Sequence, residues 1–257
     1  MIDDAQPTLY DREFYAHHQE GVLRSARAVI PIILNNLSVS SAVDLGCGSG
    51  AWLRAAEECG VRDVTGYDGG YVDSSTLLID PANFRPVDLC ANFEVGRTCD
   101  LAISLEVAEH LPSEPAKRLI KCLVDIAPMV LFSAAIPGQG GVGHINERWQ
   151  DYWRTIFYSY GFYPADLIRS RIWGNPTIEF WYQQNIILYC SEEAIEQHPQ
   201  LAIVAEDVSL NVVHPRLFEN RVRELKPTLR KVLKAMPSLI SGAVARRVGL
   251  RGTSPIG

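Results

Sequence analysis

The spacing of apolar residues along the chain switches repeatedly between a helical and an extended period. Between residues 11 and 37, Val22, Ala26, Val29, Ile30 and Ile33 recur roughly every 3.6 residues, which predicts a helix. Pro31 falls inside it and predicts a kink or a split. The run Ala42-Val43-Asp44-Leu45 then predicts a strand closed by glycines, followed by a helix over 51–59 with Gly60 as its stop. Val64 to Tyr67 predicts a second strand, ending at Asp68 and a Gly-Gly turn. A third is predicted over 84–89, at a sheet edge because of Pro86. The strands predicted over 100–105 and 129–134 flank a helix over 112–126, with Ser113 as its candidate cap. A glycine-rich loop over 136–148 leads into an aromatic-rich helix over 149–160. Two late strands are predicted near 167–172 and 185–189.

Strands alternating with helices imply an α/β fold, a parallel sheet wound on both faces. Right-handed crossovers place the loops after the strands at one edge, where such folds bind ligands. The expected organisation is an N-terminal helical lid (1–40), a Rossmann-like, mostly parallel seven-stranded domain (41–192) and a C-terminal extension (193–257).

Composition narrows this picture. The chain has 257 residues, 47% hydrophobic, enough for one substantial core. Its six cysteines form no CxxC pair, which argues against a zinc ribbon or a disulfide framework and suggests a reducing compartment. The N-terminus has no signal-peptide core, and no stretch is apolar enough to span a membrane. A cytoplasmic location is therefore expected, peripheral to a membrane at most. The net charge of −6 conceals an asymmetry: residues 221–257 carry +8 and the rest −14. Apolar Val222, Leu225, Leu229, Val232 and Leu233 among the basic residues predict an amphipathic helix, interrupted at Pro227 and Pro237. Its candidate roles are contact with an anionic membrane surface, homo-oligomerisation, or packing on its own domain. Nucleic acid is the less favoured partner, because the body of the chain is acidic.

The chemistry concentrates after the first strand, in Asp44-Leu45-Gly46-Cys47-Gly48-Ser49-Gly50. Glycines there let the backbone turn tightly and approach a ligand. Dinucleotide sites use a related loop, so the glycines alone do not choose a cofactor. Asp44 does discriminate, because a carboxylate repels pyrophosphate and attracts an ammonium or a sulfonium. Asp68, 22 residues after Gly46, suits a carboxylate accepting from two ribose hydroxyls.

VDLGCGSG, VTGYDGG, PVDLCA and DLAISLEVAEHLP, in this order over residues 40–190, resemble the successive motifs of class I S-adenosylmethionine-dependent methyltransferases. The resemblance implies that Asp44 and the backbone of Gly46, Cys47 and Gly48 hold the methionine part. Asp68 would hold the ribose and Asp88, with Leu89, would face the adenine amino group, with Gly69 and Leu105 as further cofactor-binding residues. The run Glu106-Val107-Ala108-Glu109-His110, with His144 in the later loop, is similar to the metal site of 2′-O-methyltransferases acting on small-RNA ends. That likeness implies Mg2+ or Mn2+ on Glu106, Glu109, His110 and His144. Metal-free relatives carry the same run, and there His144 or Glu109 would act as the base. One imidazole nitrogen cannot both ligate and deprotonate, so the two readings compete.

The segment FSAAIPGQGGVGHINERWQDYW resembles a subgroup associated with polysaccharide and glycolipid assembly. The expected acceptor is thus a small molecule or an oligosaccharide, methylated on a sugar hydroxyl, with an RNA end or another small molecule as the alternative. A non-catalytic scaffold of the same fold is the reading from a different class. Gln139, Asn146, Arg148, Trp149 and Trp153 are candidate sugar contacts, with Trp173 and Trp181 as candidate walls. The competing role for the aromatic residues is a buried helical face. Tyr15, His17 and His18 are candidates for a lid.

Overall fold

A computed structural model describes residues 9–225 and 236, with side chains from Gln19 onward. The chain divides after His214 into two units. The first holds a seven-stranded sheet in the order β3-β2-β1-β4-β5-β7-β6. Its strands are β1 Ser41–Leu45, β2 Asp63–Asp68, β3 Phe84–Pro86, β4 Leu101–Leu105, β5 Met129–Ser133, β6 Phe162–Ala165 and β7 Ile187–Ser191. β1 to β5 pair in parallel, whereas β7 runs antiparallel to both β5 and β6. This is the doubly wound, mostly parallel sheet that the sequence predicts. The helices are α1 Leu9–Leu34, α2 Ala51–Glu58, α3 Ser113–Ile126, α4 Gln150–Tyr158, α5 Arg169–Ile172, α6 Phe180–Asn185 and α7 Glu192–Gln197.

Strand side chains alternate between two cores. Leu101, Ile103 and Leu105 join Met129 and Leu131 against Ile30, Ile33, Trp52 and Leu53 of α1 and α2. Ala102, Val130 and Phe132 face the other way, onto Leu119, Ile120, Leu123 and Phe157 of α3 and α4. The period-2 pleat thus serves both helix layers, and the central strands are apolar on both faces. The crossing from β1 to β4 in the sheet order makes a switch point beside Asp44, whose backbone pairs with Gly66 on one side and Ile103 on the other.

Several local expectations change. Pro31 does not split α1, which runs through it to Leu34. Ser113 does not cap α3; Pro112 holds the cap position, with no side-chain bond. The late strand falls at 162–165, not 167–172, where one helical turn forms instead. Arg169 and Arg171 alternate there with Ile168, Ser170 and Ile172 in a strand-like period. What decides the local structure is the buried Ile168 and Ile172 pair, four apart on one helical face. Pro164 is tolerated in β6 because β6 is an edge strand. The strand expected at 185 starts at Ile187, because α6 occupies residues up to Asn185. β3 is an edge strand, as Pro86 predicts.

In the second unit the structure describes α8, Pro215–Leu225, which opens on a proline suited to a first helical position. The basic amphipathic helix expected over 221–248 otherwise lies outside the described residues. So do the side chains of Tyr15, His17 and His18. No helix among the described residues is long and apolar enough to cross a membrane.

Candidate active site

The loop between β1 and α2 is shaped by three left-handed glycines, Gly46 (φ 88°), Gly48 (φ 53°) and Gly50 (φ 80°). At Gly46 both backbone and space require glycine, since a Cβ would fall 2.4 Å from Val107 Cγ2. The loop bends back onto the end of β2, where Gly46 N–H donates to the Tyr67 carbonyl at 2.7 Å. That closure brings Gly48 N–H to Asp68 Oδ2 at 2.6 Å. Asp68 Oδ1 accepts from Gly69 N–H and from the Tyr71 hydroxyl, each at 2.6 Å.

A cavity of about 830 Å³ opens over this loop, a size suited to a nucleoside-sized ligand. Gly46, Gly48, Asp68 and Gly69 line one part, Asp88 and Leu89 another, and Glu106 and His110 the far side. Asp44 lies buried on β1, and its Oδ2 has no hydrogen-bond partner. Burial, and then the charge of Asp68, push its carboxyl well above the usual range. A cationic group supplied by a ligand would reverse both effects.

Neither the Leu105 nor the Cys47 side chain reaches the cavity, and the assignment of Cys47 rests on its backbone alone. Leu105 does not line the cavity but packs in the core against α1 and α2. The Cys47 thiol turns onto Gly66, where a Cβ would fall 2.7 Å from Sγ, so only its backbone belongs to the loop. Burial raises that thiol's pKa far out of its ordinary range and leaves it un-ionised.

After β4 the chain turns sharply. Glu106 has φ 56°, in the left-handed region that non-glycine residues seldom adopt, and Ala108–His110 form one 3-10 turn. Such strain marks positions held by their surroundings. Here Asn185 Nδ2 donates to Glu106 Oε1 at 3.0 Å, and Gln139 Nε2 donates to Oε2 at 2.8 Å. Burial raises the Glu106 carboxyl, although these amide donors counter it.

Glu109 contrasts with it. Its side chain is fully buried, and neither oxygen makes a hydrogen bond of regular geometry, although the carboxyl lies against that of Glu106 and the backbone of Ala135. Burial, and then the charge of Glu106, raise it strongly. The loop after β5 is tied down on the same turn. The Ile145 and Asn146 N–H groups donate to the Glu109 carbonyl at 2.9 and 3.0 Å, and Asn146 Nδ2 donates to the Ala108 carbonyl at 3.3 Å. These bonds deliver His144 beside His110, ring centroids 4.8 Å apart and nearly perpendicular.

The result is a cluster of Glu109, His110 and His144 whose ligand atoms lie within 4.8 Å of one another. Three of the four expected metal ligands thus meet, while the Glu106 carboxylate is held by amides beside them. The donor set of one carboxylate and two imidazoles suits a divalent cation, and the Glu109 oxygens, which make no regular hydrogen bond, are what such an ion would satisfy. His110 is held below its usual pKa by burial and by His144, so its ring is neutral and able to ligate.

The acceptor-side candidates separate clearly. Trp153 is core, 2% exposed. Asn146 is a buried strut, and Gln139 serves Glu106. Trp149 stays 41% exposed, and the Arg148 guanidinium lies 5.1 Å over the Tyr152 ring. Trp173 and Trp181 do not line the cavity. Sequence reading missed Tyr71, Asn185 and Glu147. A run of three amides, Gln183-Gln184-Asn185, before an apolar strand is the signal that could have found Asn185.

The Methyltransferase domain family profile matches residues 15–162, more than half of the chain. The chain belongs to that family. Solved structures share the fold. The sugar N-methyltransferase KedS8 from Streptoalloteichus sp. ATCC 53650 is similar at TM-score 0.54 and 14% identity, over 74% of this chain and 96% of that one. DesVI of Streptomyces venezuelae is similar at 0.53 and 11%, over 73% and 100%. Magnesium protoporphyrin IX methyltransferase from Synechocystis PCC 6803 with bound SAH is similar at 0.52 and 22%, over 74% and 90%. No curated protein sequence matches the chain.

Proposed function

We propose that this methyltransferase moves the methyl group of S-adenosylmethionine to a sugar hydroxyl, with a divalent cation held by Glu109, His110 and His144. The observation that carries the reading is Glu109, a buried carboxylate without a regular hydrogen bond, clustered with two imidazoles. The unpartnered Asp44 supports the donor assignment, because the α-amino group or sulfonium of S-adenosylmethionine supplies the missing positive charge. Asp68 would exchange a present donor for the ribose hydroxyls, and Asp88 lines the adenine end. The cavity runs from these acids to Glu106 and His110, so donor and acceptor would meet at one mouth. Methyl transfer is an in-line displacement, and aligning the two reactants is the main contribution. The bound cation would lower the pKa of the acceptor hydroxyl. Exposed Trp149 lies outside the cavity lining but offers a ring face for a sugar, and KedS8, a sugar N-methyltransferase, shares the fold and supports the sugar but not the hydroxyl.

His144 Nδ1 lies 3.0 Å from Glu147 Oε1, an imidazole–carboxylate pair that favours a second reading with His144 as a metal-free general base. Labelled methyl transfer from S-adenosylmethionine to oligosaccharide, RNA and phenolic pools, with and without EDTA, tests both. Transfer to oligosaccharide that stops in EDTA supports the first reading. Full activity in the chelator removes the cation, and labelling of phenols alone removes the sugar.

A further inference from the structure

We propose that Glu147 is a positioning residue that fixes the His144 ring as its Nδ1–H tautomer and so reserves the Nε2 lone pair for the reaction centre. The inference deepens the reading of His144 as part of the site and takes no position on which electrophile, cation or acceptor proton, that lone pair serves.

The geometry is local and complete. Glu147 Oε1 receives Gly140 N–H at 2.7 Å and lies 3.0 Å from His144 Nδ1. Oε2 receives Gly138 N–H at 2.8 Å. An ionised carboxylate is only an acceptor, so the hydrogen shared with the ring must sit on Nδ1. In the neutral ring the other nitrogen is then left unprotonated, which is what either ligation or proton abstraction requires. This is the arrangement by which an outer carboxylate orients a ligating imidazole.

The loop is built around that contact. Gly138, Gly140 and Gly143 take φ of 83°, 68° and 76°, which turn two amide N–H groups onto one carboxylate. Gly141 lets the ring lie against the backbone, since a Cβ there would fall 2.2 Å from Nε2, 2.5 Å from Cε1 and 2.7 Å from Cδ2. Those similar distances place Gly141 over the ring face at Nε2, clear of the in-plane lone pair. Glu147 and His144 are shielded, with side chains 20% and 12% exposed, so water competes weakly for the bond.

The test is long-range 1H–15N NMR of the metal-free full chain at pH 8, which reads the His144 tautomer directly, alongside Mn2+ titration followed by EPR. Wild type is expected to show Nδ1–H. Glu147→Gln can donate as well as accept and is expected to populate Nε2–H, with Mn2+ binding weakened about 10–100-fold. A wild-type ring protonated on Nε2 would overturn the inference. So would a Glu147→Gln variant that loses Mn2+ affinity while keeping the Nδ1–H tautomer, because the residue would then only brace the loop. The tautomer is read without metal. Wild type that shows Nδ1–H but binds no Mn2+ therefore removes the cation reading and leaves Glu147 positioning a base.

Discussion

Asp68 lines the cleft and Glu109 lies buried behind the Glu106 and His110 that line it, and the chain treats the two acids differently. Asp68 already accepts three hydrogen bonds from its own loops. Glu109 accepts no hydrogen bond of regular geometry, and the acid nearest to it is another carboxyl, Glu106. A carboxylate ringed by N–H and O–H donors keeps its charge in the apo protein and offers a ligand an exchange of neutral partners. A buried carboxylate without donors is held protonated, or waits for a cation. Asp44, with Oδ2 unpartnered, belongs with Glu109 in this respect although it lies on the donor side. Under the proposed function the contrast would follow the charge of the partner: hydroxyls would be met by a satisfied acid, and positive groups by an unsatisfied one.

The sharpest way to break this contrast is to remove members of the Glu109, His110 and His144 cluster. His144→Ala and Glu109→Gln are each expected to lower kcat by about 10³-fold, the scale of several kcal/mol of lost cation or base assistance. S-adenosylmethionine affinity by calorimetry should stay within about twofold. A comparable fall in donor affinity would mean that the two ends are not separate. On the donor side, Asp44→Asn is expected to weaken S-adenosylmethionine about 10–100-fold, as expected for one hydrogen bond to a charged group. An unchanged dissociation constant would show that Asp44 does not meet a cationic group.

The same distinction explains what could be read from the sequence. Asp44, Asp68 and the three glycines lie within 25 residues, so spacing alone places them together. The Glu109, His110 and His144 cluster needs two loops 34 residues apart, and the parallel neighbours β4 and β5 were enough to foresee it. The support for Glu106 was not legible. Asn185 lies 79 residues away on α6, a helix in a segment assigned partly to strand. Glu147 escaped for a different reason. Three residues after His144 in an irregular loop, no periodicity predicts that it turns back to the ring, and only the φ values of Gly138 and Gly140 bring it there.

Stability offers a smaller effect with a definite sign. The folded-state pKa of Glu109 is raised above its unfolded value, so the folded chain binds more protons there. Its contribution is present at low pH and is lost as pH rises from the ordinary carboxylate range toward the folded-state value. In metal-free protein, Glu109→Gln is therefore expected to match wild type in Tm near pH 4 and to exceed it at pH 8. Each kcal/mol of relief corresponds to about 2–4 °C for a chain of this size. Mn2+ should close the gap by raising the wild type alone. A variant less stable than wild type at pH 8 without metal would mean that Glu109 is satisfied in the apo protein after all.

Tyr71 probes the satisfied end and should give the mildest change. Its hydroxyl donates to Asp68 Oδ1 at 2.6 Å, although the residue is 85% exposed. Its ring lies over Gly69, where a Cβ would fall 2.0 Å from Cε1. A ribose hydroxyl bound to that oxygen would compete with this contact. Exchanging one neutral donor for another leaves a difference of about 1 kcal/mol, the net worth of one hydrogen bond. Tyr71→Phe is expected to tighten S-adenosylmethionine about two- to fivefold in calorimetry, with kcat unchanged. Weaker binding would show instead that the hydroxyl itself contacts the nucleoside, and Asp68 would then be shared between tyrosine and ribose rather than handed from one to the other.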